Sequence, residues 1–158
     1  MTKPNFVYVT YIATTAEKVW DAIVNTDIAR QYWVDPNAGC SRVNVSDWKP
    51  GSKWAHQRVG GADEGTVDIV GKVVESHPPS RLVMTWARPS EETEMSKHSR
   101  VTFEIDAYVD GTIRLTVRHE DLDEAMLNGI SGGWPKVLSN MKTFLETGRA
   151  LPSTSAKH

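Results

Sequence analysis

The sequence predicts an α+β domain in which one long C-terminal helix lies across a curved antiparallel sheet. Three observations carry that reading. Trp134, Val137, Leu138, Met141 and Leu145 recur at helical spacing and form one wide apolar stripe. The stretch from residue 41 to 120 reads as short runs of alternating apolar and polar residues separated by turn signals, with no second long helix among them. Asp110-Gly111 stands between two such runs and marks a tight hairpin. The stripe needs a surface to bury against, and the sheet supplies it. The space between helix and sheet is where function is expected.

Each element has its own signal. Phe6–Ile12 is β-branched and aromatic and reads as the first strand. Thr14-Thr15-Ala16-Glu17 reads as a capping box with Thr14 as the N-cap, opening a short helix that carries Ala16, Val19, Trp20 and Ile23. Thr26 or Asp27 is expected to cap a second short helix carrying Ile28, Tyr32 and Trp33. Pro36-Asn37-Ala38-Gly39 ends it. Six strands are then predicted at 41–46, 52–59, 66–76, 82–88, 99–109 and 112–120, making about seven in all. Asp110-Gly111 is expected to form a two-residue type I′ turn.

Alternation assigns faces. Val101, Phe103 and Ile105 point inward with Ile113, Leu115, Val117 and His119, while Glu104, Arg114 and Arg118 point out. The same count turns Leu82, Met84 and Trp86 inward, and His56 and Arg58 follow Trp54. One bulge would reverse the phase of everything beyond it. Asp121-Leu122-Asp123-Glu124 is read as capping a helical turn before Gly129, and Ser131-Gly132-Gly133 as an interruption. Pro135 then falls in the first turn of the final helix, and Gly148 ends it at C′. Residues 1–150 are taken as one domain and 151–158 as a tail that frays.

Composition narrows the function. Eighteen basic and twenty acidic side chains in 158 residues leave a net charge of −2, against a general nucleic-acid binder, which needs a basic face. Cys40 is the one cysteine, so no intrachain disulfide forms and a reducing cytoplasm is the expected location. No secretory leader or membrane span is read in the chain.

His56, His77, His98, His119 and His158 lie on separate segments without metal-ligand spacing, so no metal or cofactor is expected. GxSxG, GxGxxG and Walker patterns are missing from the sequence, and no catalytic residue is assigned. His119 faces inward, either as a satisfied structural histidine or as a group that contacts a ligand or moves a proton. His56 and Arg58 share the phase of Trp54. Arg58 either binds a carboxylate or phosphate through its fork or simply reaches water. Trp33, Trp54, Trp86 and Trp134 are core filler or the walls of a ligand cavity, joined by Phe103, Met84 and Met141.

Four segments carry a resemblance to a known family: Ala16-Glu17-Lys18-Val19-Trp20-Asp21-Ala22, Trp48-Lys49-Pro50-Gly51-Ser52-Lys53-Trp54, the stretch from Glu75-Ser76-His77-Pro78-Pro79 to Trp86, and Gly133-Trp134-Pro135-Lys136-Val137-Leu138. Together they resemble the SRPBCC, or START-like, superfamily. Within it they are similar to single-domain proteins like the C-terminal domain of the heat-shock ATPase activator. The resemblance implies a helix-grip, birch-pollen-allergen-like fold. It implies three functions. The first is binding of a small hydrophobic or amphipathic molecule, a lipid among them, between sheet and helix. The second is a cyclase- or hydrolase-like enzyme in the same cavity, and the third an interaction protein that modulates a chaperone ATPase. The turn Gly60-Gly61-Ala62-Asp63-Glu64-Gly65 and the charged stretch from Arg88 to Lys97 depart from the commoner pattern and are expected at the cavity mouth.

Overall fold

The computed structural model describes residues 4–35 and 39–151. The elements run β1 (Phe6–Ile12), α1 (Ala16–Val24), α2 (Thr26–Tyr32), β2 (Val34–Asp35), β3 (Cys40–Ser46), β4 (Lys53–Val59), β5 (Val67–His77), β6 (Arg81–Trp86), β7 (Ser99–Ala107), β8 (Ile113–Glu120) and α3 (Glu124–Thr147). The strands form one antiparallel sheet in the order β1-β8-β7-β6-β5-β4-β3-β2. This is the helix-grip architecture, with a two-residue β2 added at the edge to the seven expected strands.

Three helix starts differ in detail from the sequence reading. The N-cap of α1 is Thr15, whose hydroxyl accepts from the Lys18 amide; a cap at Thr14 would lie one residue too early. Asn25 caps α2, its side-chain oxygen accepting from the Asp27 and Ile28 amides, so neither Thr26 nor Asp27 does. Asp123 caps α3, which runs unbroken through Gly129, Gly132, Gly133 and Pro135. The helix is amphipathic over its whole length, and burial of that face outweighs the poor helix propensity of the four residues. Gly148 closes it in the left-handed conformation, φ 81°, as the sequence suggests.

The hairpin register agrees with the predicted alternation. Val101, Phe103, Ile105, Leu115, Val117 and His119 are buried on the helix-facing side, and Arg114 and Arg118 point away. The turn is not type I′, which needs positive φ at both central residues. Only Gly111 has it (φ 76°), and the Thr112 amide donates to the Val109 carbonyl. Alternation is less clean on the outer face, where Val83, Thr85, Thr102 and Thr116 are also buried.

Two bulges interrupt the ladders. Val73 faces Met84 and Glu75 faces Val83, leaving Val74 unpaired. His56 faces Ile69 and Gln57 faces Val67, leaving Asp68 unpaired. The core lies between the inner sheet face and α3, whose Ile130, Trp134, Leu138 and Met141 are buried, and it extends to Val19, Trp20 and Ile23 of α1. Outside the core, Lys142 and Glu146 of α3 fasten β1: the Lys142 ammonium donates to the Tyr11 carbonyl at 2.7 Å, and Glu146 accepts from the Ala13 amide at 2.8 Å. No helix among the described residues is long and apolar enough to cross a membrane. The expected fraying of 151–158 falls almost wholly outside the described residues.

Candidate functional site

One small backbone event in β6 sets the geometry of the interior. The Thr85 carbonyl accepts the indole N–H of Trp54 at 2.7 Å instead of serving the ladder to β5. Its hydroxyl takes over that ladder role, accepting from the Lys72 amide at 2.9 Å while donating to His98 Nδ1 at 2.8 Å. The direction of the second bond follows from His98 Nε2, which sits against the Glu91 and Glu92 carbonyls and must be the protonated nitrogen. Trp54 can reach Thr85 only because Gly71, its cross-strand neighbour, has no side chain. A Cβ there would lie 1.9 Å from the Thr85 oxygen.

Trp86 follows immediately, its ring 5.5 Å from Trp54, 5.6 Å from Trp134 and 5.1 Å from His119. Beyond these rings lies a cavity of about 290 Å³ between β3–β6 and the first half of α3. Trp33, Trp86, Trp134 and Ile130 make its apolar walls. Gly129 and Gly133, one turn apart on α3, line its rim, and nothing stands within 4 Å of where their Cβ atoms would be. Both glycines are exposed, so they leave the cavity open to solvent along this edge of the helix.

The other end is polar. Arg42, His56 and Asp68 line it. Asp68 is the bulged residue of β5, and the bulge is what brings it onto the inner side beside Ile69. Its carboxylate accepts both nitrogens of the Arg58 fork at 3.0 Å and Arg42 Nε at 3.0 Å, while Arg42 Nη1 holds Asp35. Hydrogen bonds from Arg58, helped by Arg42, keep the Asp68 carboxyl below the ordinary carboxylate value against the opposing effect of partial burial.

The His56 ring lies 4.6 Å from Trp33, tilted against it, and its Nδ1–H donates to Asn44 Oδ1 at 2.8 Å. Asn44 donates its amide to the Ile23 carbonyl, so its oxygen faces His56 and His56 carries its proton on Nδ1. Burial, and then the nearby Arg42 charge, push the imidazole down to about 3, although Asp68 pulls the other way. At neutral pH Nε2 is therefore an unprotonated acceptor. It makes no hydrogen bond among the described residues and is not sealed from the cavity its ring lines.

The expected site residues fall into three groups. Trp33, His56, Trp86 and Trp134 come together around the cavity. Trp54, Met84, Phe103, His119 and Met141 lie behind those walls as buried core, and Arg58 stands outside, its fork already occupied by Asp68. His119 has both nitrogens committed. Ser99 gives its hydroxyl hydrogen to the Trp86 carbonyl, so His119 Nε2 donates to Ser99 at 2.8 Å and Nδ1 accepts from the Trp134 indole at 3.2 Å. Burial lowers this imidazole to about 3 as well. It holds Trp134 in place and has no free position for a substrate proton. Arg42, Asp68, Gly129 and Gly133 were missed from sequence. Trp86 Nε1 is the one buried side-chain polar atom among the described residues that lacks a partner.

The fold recurs widely among solved structures. CalU16 from Micromonospora echinospora superposes with a TM-score of 0.65 at 17% identity, over 91% of this chain and 77% of that one. An HSP90 activator from Plasmodium falciparum gives 0.67 at 19% identity, over 89% and 95%. The Aha1 dimer from Colwellia psychrerythraea gives 0.68 at 18%, over 93% and 99%. At these identities the likeness shows the fold alone. No curated protein matches in sequence. The model of the family described as activator of Hsp90 ATPase homolog 1-like protein matches residues 13–146, most of the chain, and the chain belongs to that family.

Proposed function

We propose that the protein binds a compact, largely apolar small molecule in the cavity between its sheet and α3. The observation that carries this is a cavity walled by the indoles of Trp33, Trp86 and Trp134 and left open along Gly129 and Gly133. Glycine in a helix interior costs about 0.5–1 kcal/mol relative to alanine, and here two glycines leave the mouth of an aromatic-walled space clear. The volume, about 290 Å³, is at the small end for ligand sites and suits a one- or two-ring compound. The Met141 side chain is sealed in the core, so a blocking substitution belongs on the glycines instead.

Gly133→Leu should fill the space while leaving the fold at least as stable. Compounds that shift the intrinsic tryptophan fluorescence of the unaltered protein and raise its melting temperature should lose both effects on the variant. An unchanged response would place binding elsewhere.

The family supports a second reading, modulation of a chaperone ATPase through the surface. Val7, Val9, Tyr11, Tyr108 and Val109 form an exposed apolar strip on β1 and the β7–β8 turn, with Tyr11 and Tyr108 packed 4.7 Å apart. Stimulation of an Hsp90 ATPase that is abolished by Val9→Asp, and untouched by Gly133→Leu, would favour it.

A further inference from the structure

The polar end of the cavity has a chemical preference, and its parts are unequal. Arg42 and Arg58 are surrounded by Asp35, Asp63 and Asp68, so three carboxylates meet two guanidinium groups and the cluster carries no surplus positive charge. The Arg58 fork, the group best suited to an anionic ligand, is closed on Asp68 by two bonds of 3.0 Å. A carboxylate or phosphate entering here would lose its water without gaining a free cation.

What remains unused is different in kind. His56 Nε2 is an acceptor on a neutral ring whose tautomer is fixed by Asn44. Arg42 Nη2 makes no hydrogen bond among the described residues, since Nε and Nη1 take the two carboxylates. The Trp86 ring also lines the cavity, but its N–H is sealed within the core and is not presented to a ligand. An acceptor and a donor lining the same polar end complement a group that both gives and takes a hydrogen bond while carrying no charge.

We propose that the cavity selects a neutral hydroxyl-bearing aromatic compound, whose O–H donates to His56 Nε2 and whose oxygen accepts from Arg42 Nη2, and that it rejects the corresponding carboxylate. The proposal rests on the cavity being a ligand site. The indoles hold the ring system, and the hydroxyl orients it.

The test is a matched series of naphthalene, 2-naphthol, 2-methoxynaphthalene and 2-naphthoate, titrated into the full-length protein at pH 7.4 by calorimetry and thermal shift. 2-Naphthol should bind at least threefold tighter than 2-methoxynaphthalene, which keeps the oxygen and lacks the donor, and at least tenfold tighter than 2-naphthoate. In His56→Phe the first ratio should fall to about one while naphthalene still binds. Should that variant not fold, the series on the unaltered protein decides. Equal or tighter binding of 2-naphthoate, or of 2-methoxynaphthalene, overturns the hydroxyl preference while the cavity reading stands. Failure of all four compounds, with Gly133→Leu behaving like the parent, removes the cavity reading as well.

Discussion

Replacing Gly71 by alanine puts a methyl group 1.9 Å from the Thr85 carbonyl oxygen and 2.5 Å from Trp54 Nε1. Neither atom can yield cheaply. The oxygen is backbone in the middle of β6, and the indole is buried and bonded to that same oxygen at 2.7 Å. Forcing an extra methyl into a packed core costs about 1–3 kcal/mol. Separating Trp54 from Thr85 leaves a buried donor and acceptor unpaired, about 1–3 kcal/mol more. The sum, roughly 2–6 kcal/mol, is a large part of the 5–15 kcal/mol that holds most domains together. Urea denaturation followed by far-UV circular dichroism reads it directly, because Trp54 itself would disturb a fluorescence signal. At an m-value of about 1–3 kcal/mol/M, the midpoint should fall by about 0.7 M or more, or the variant should not fold. Gly132→Ala is the control: this glycine is helical with open space beside it, and alanine there should raise stability by about 0.5–1 kcal/mol. A Gly71→Ala midpoint within error of the parent would refute the account of how Trp54 and Thr85 are joined.

Other outcomes follow from the same geometry. Leu138→Ala, buried at the centre of the α3 face, should cost about 2–5 kcal/mol by denaturation, whereas Lys142→Ala, losing exposed bonds to the Tyr11 carbonyl and Glu146, should cost at most about 1 kcal/mol. His56 and His119 are held at about 3 in the folded protein against about 6.5 when unfolded, so the unfolded chain takes up protons first on acidification. The stability they contribute is complete above pH 6.5 and is lost as pH falls towards 3. Each histidine adds a slope of at most about 1.4 kcal/mol per pH unit, and His56→Gln should remove one share of it in a pH series of denaturation curves. Asp68→Asn leaves Arg42 and Arg58 without their shared carboxylate. It should lower the melting temperature at pH 7 and let 2-naphthoate bind more tightly than it binds the parent, and no gain in naphthoate affinity would contradict the charge argument.

The hairpin from Ser99 to Glu120 was readable because its alternation is long and its turn residue strong, and His119 lands inside for that reason. Helix α3 was half readable. The stripe from Trp134 to Leu145 stands out, but Gly129, Gly132, Gly133 and Pro135 argue locally against a helix that tertiary burial then enforces. As a local signal the glycines mark an interruption, whereas in the fold Gly129 and Gly133 lie at the rim of the cavity. Glycine recurring at i and i+4, in phase with Met126, Ile130 and Trp134, was the signal available. Asp68 had none, because a period-two count cannot see the bulge that turns it inward, and without Asp68 the closed fork of Arg58 was invisible too. Six tryptophans could not be sorted by pattern, since the orientation of each indole depends on a partner carbonyl or imidazole that only the fold supplies.

The strand order places β1 beside β8, with Phe6 opposite His119. During synthesis β1 leaves the ribosome early and its neighbour in the sheet comes only after all the other strands. At about 5–20 residues per second the interval is on the order of ten seconds. Through that time Val7, Val9 and Tyr11 have no ladder to join, and pairing so distant in sequence is itself slow, on the scale of milliseconds to seconds. The nascent chain therefore carries an unpaired apolar strand from the emergence of β1 until β8 follows. Stalled chains ending before β8 should be captured by trigger-factor-type holdases and cut readily by protease, while chains extended past α3 should resist both. The order of strands in space, more than the strength of any one contact, then determines how much protection the newborn protein needs.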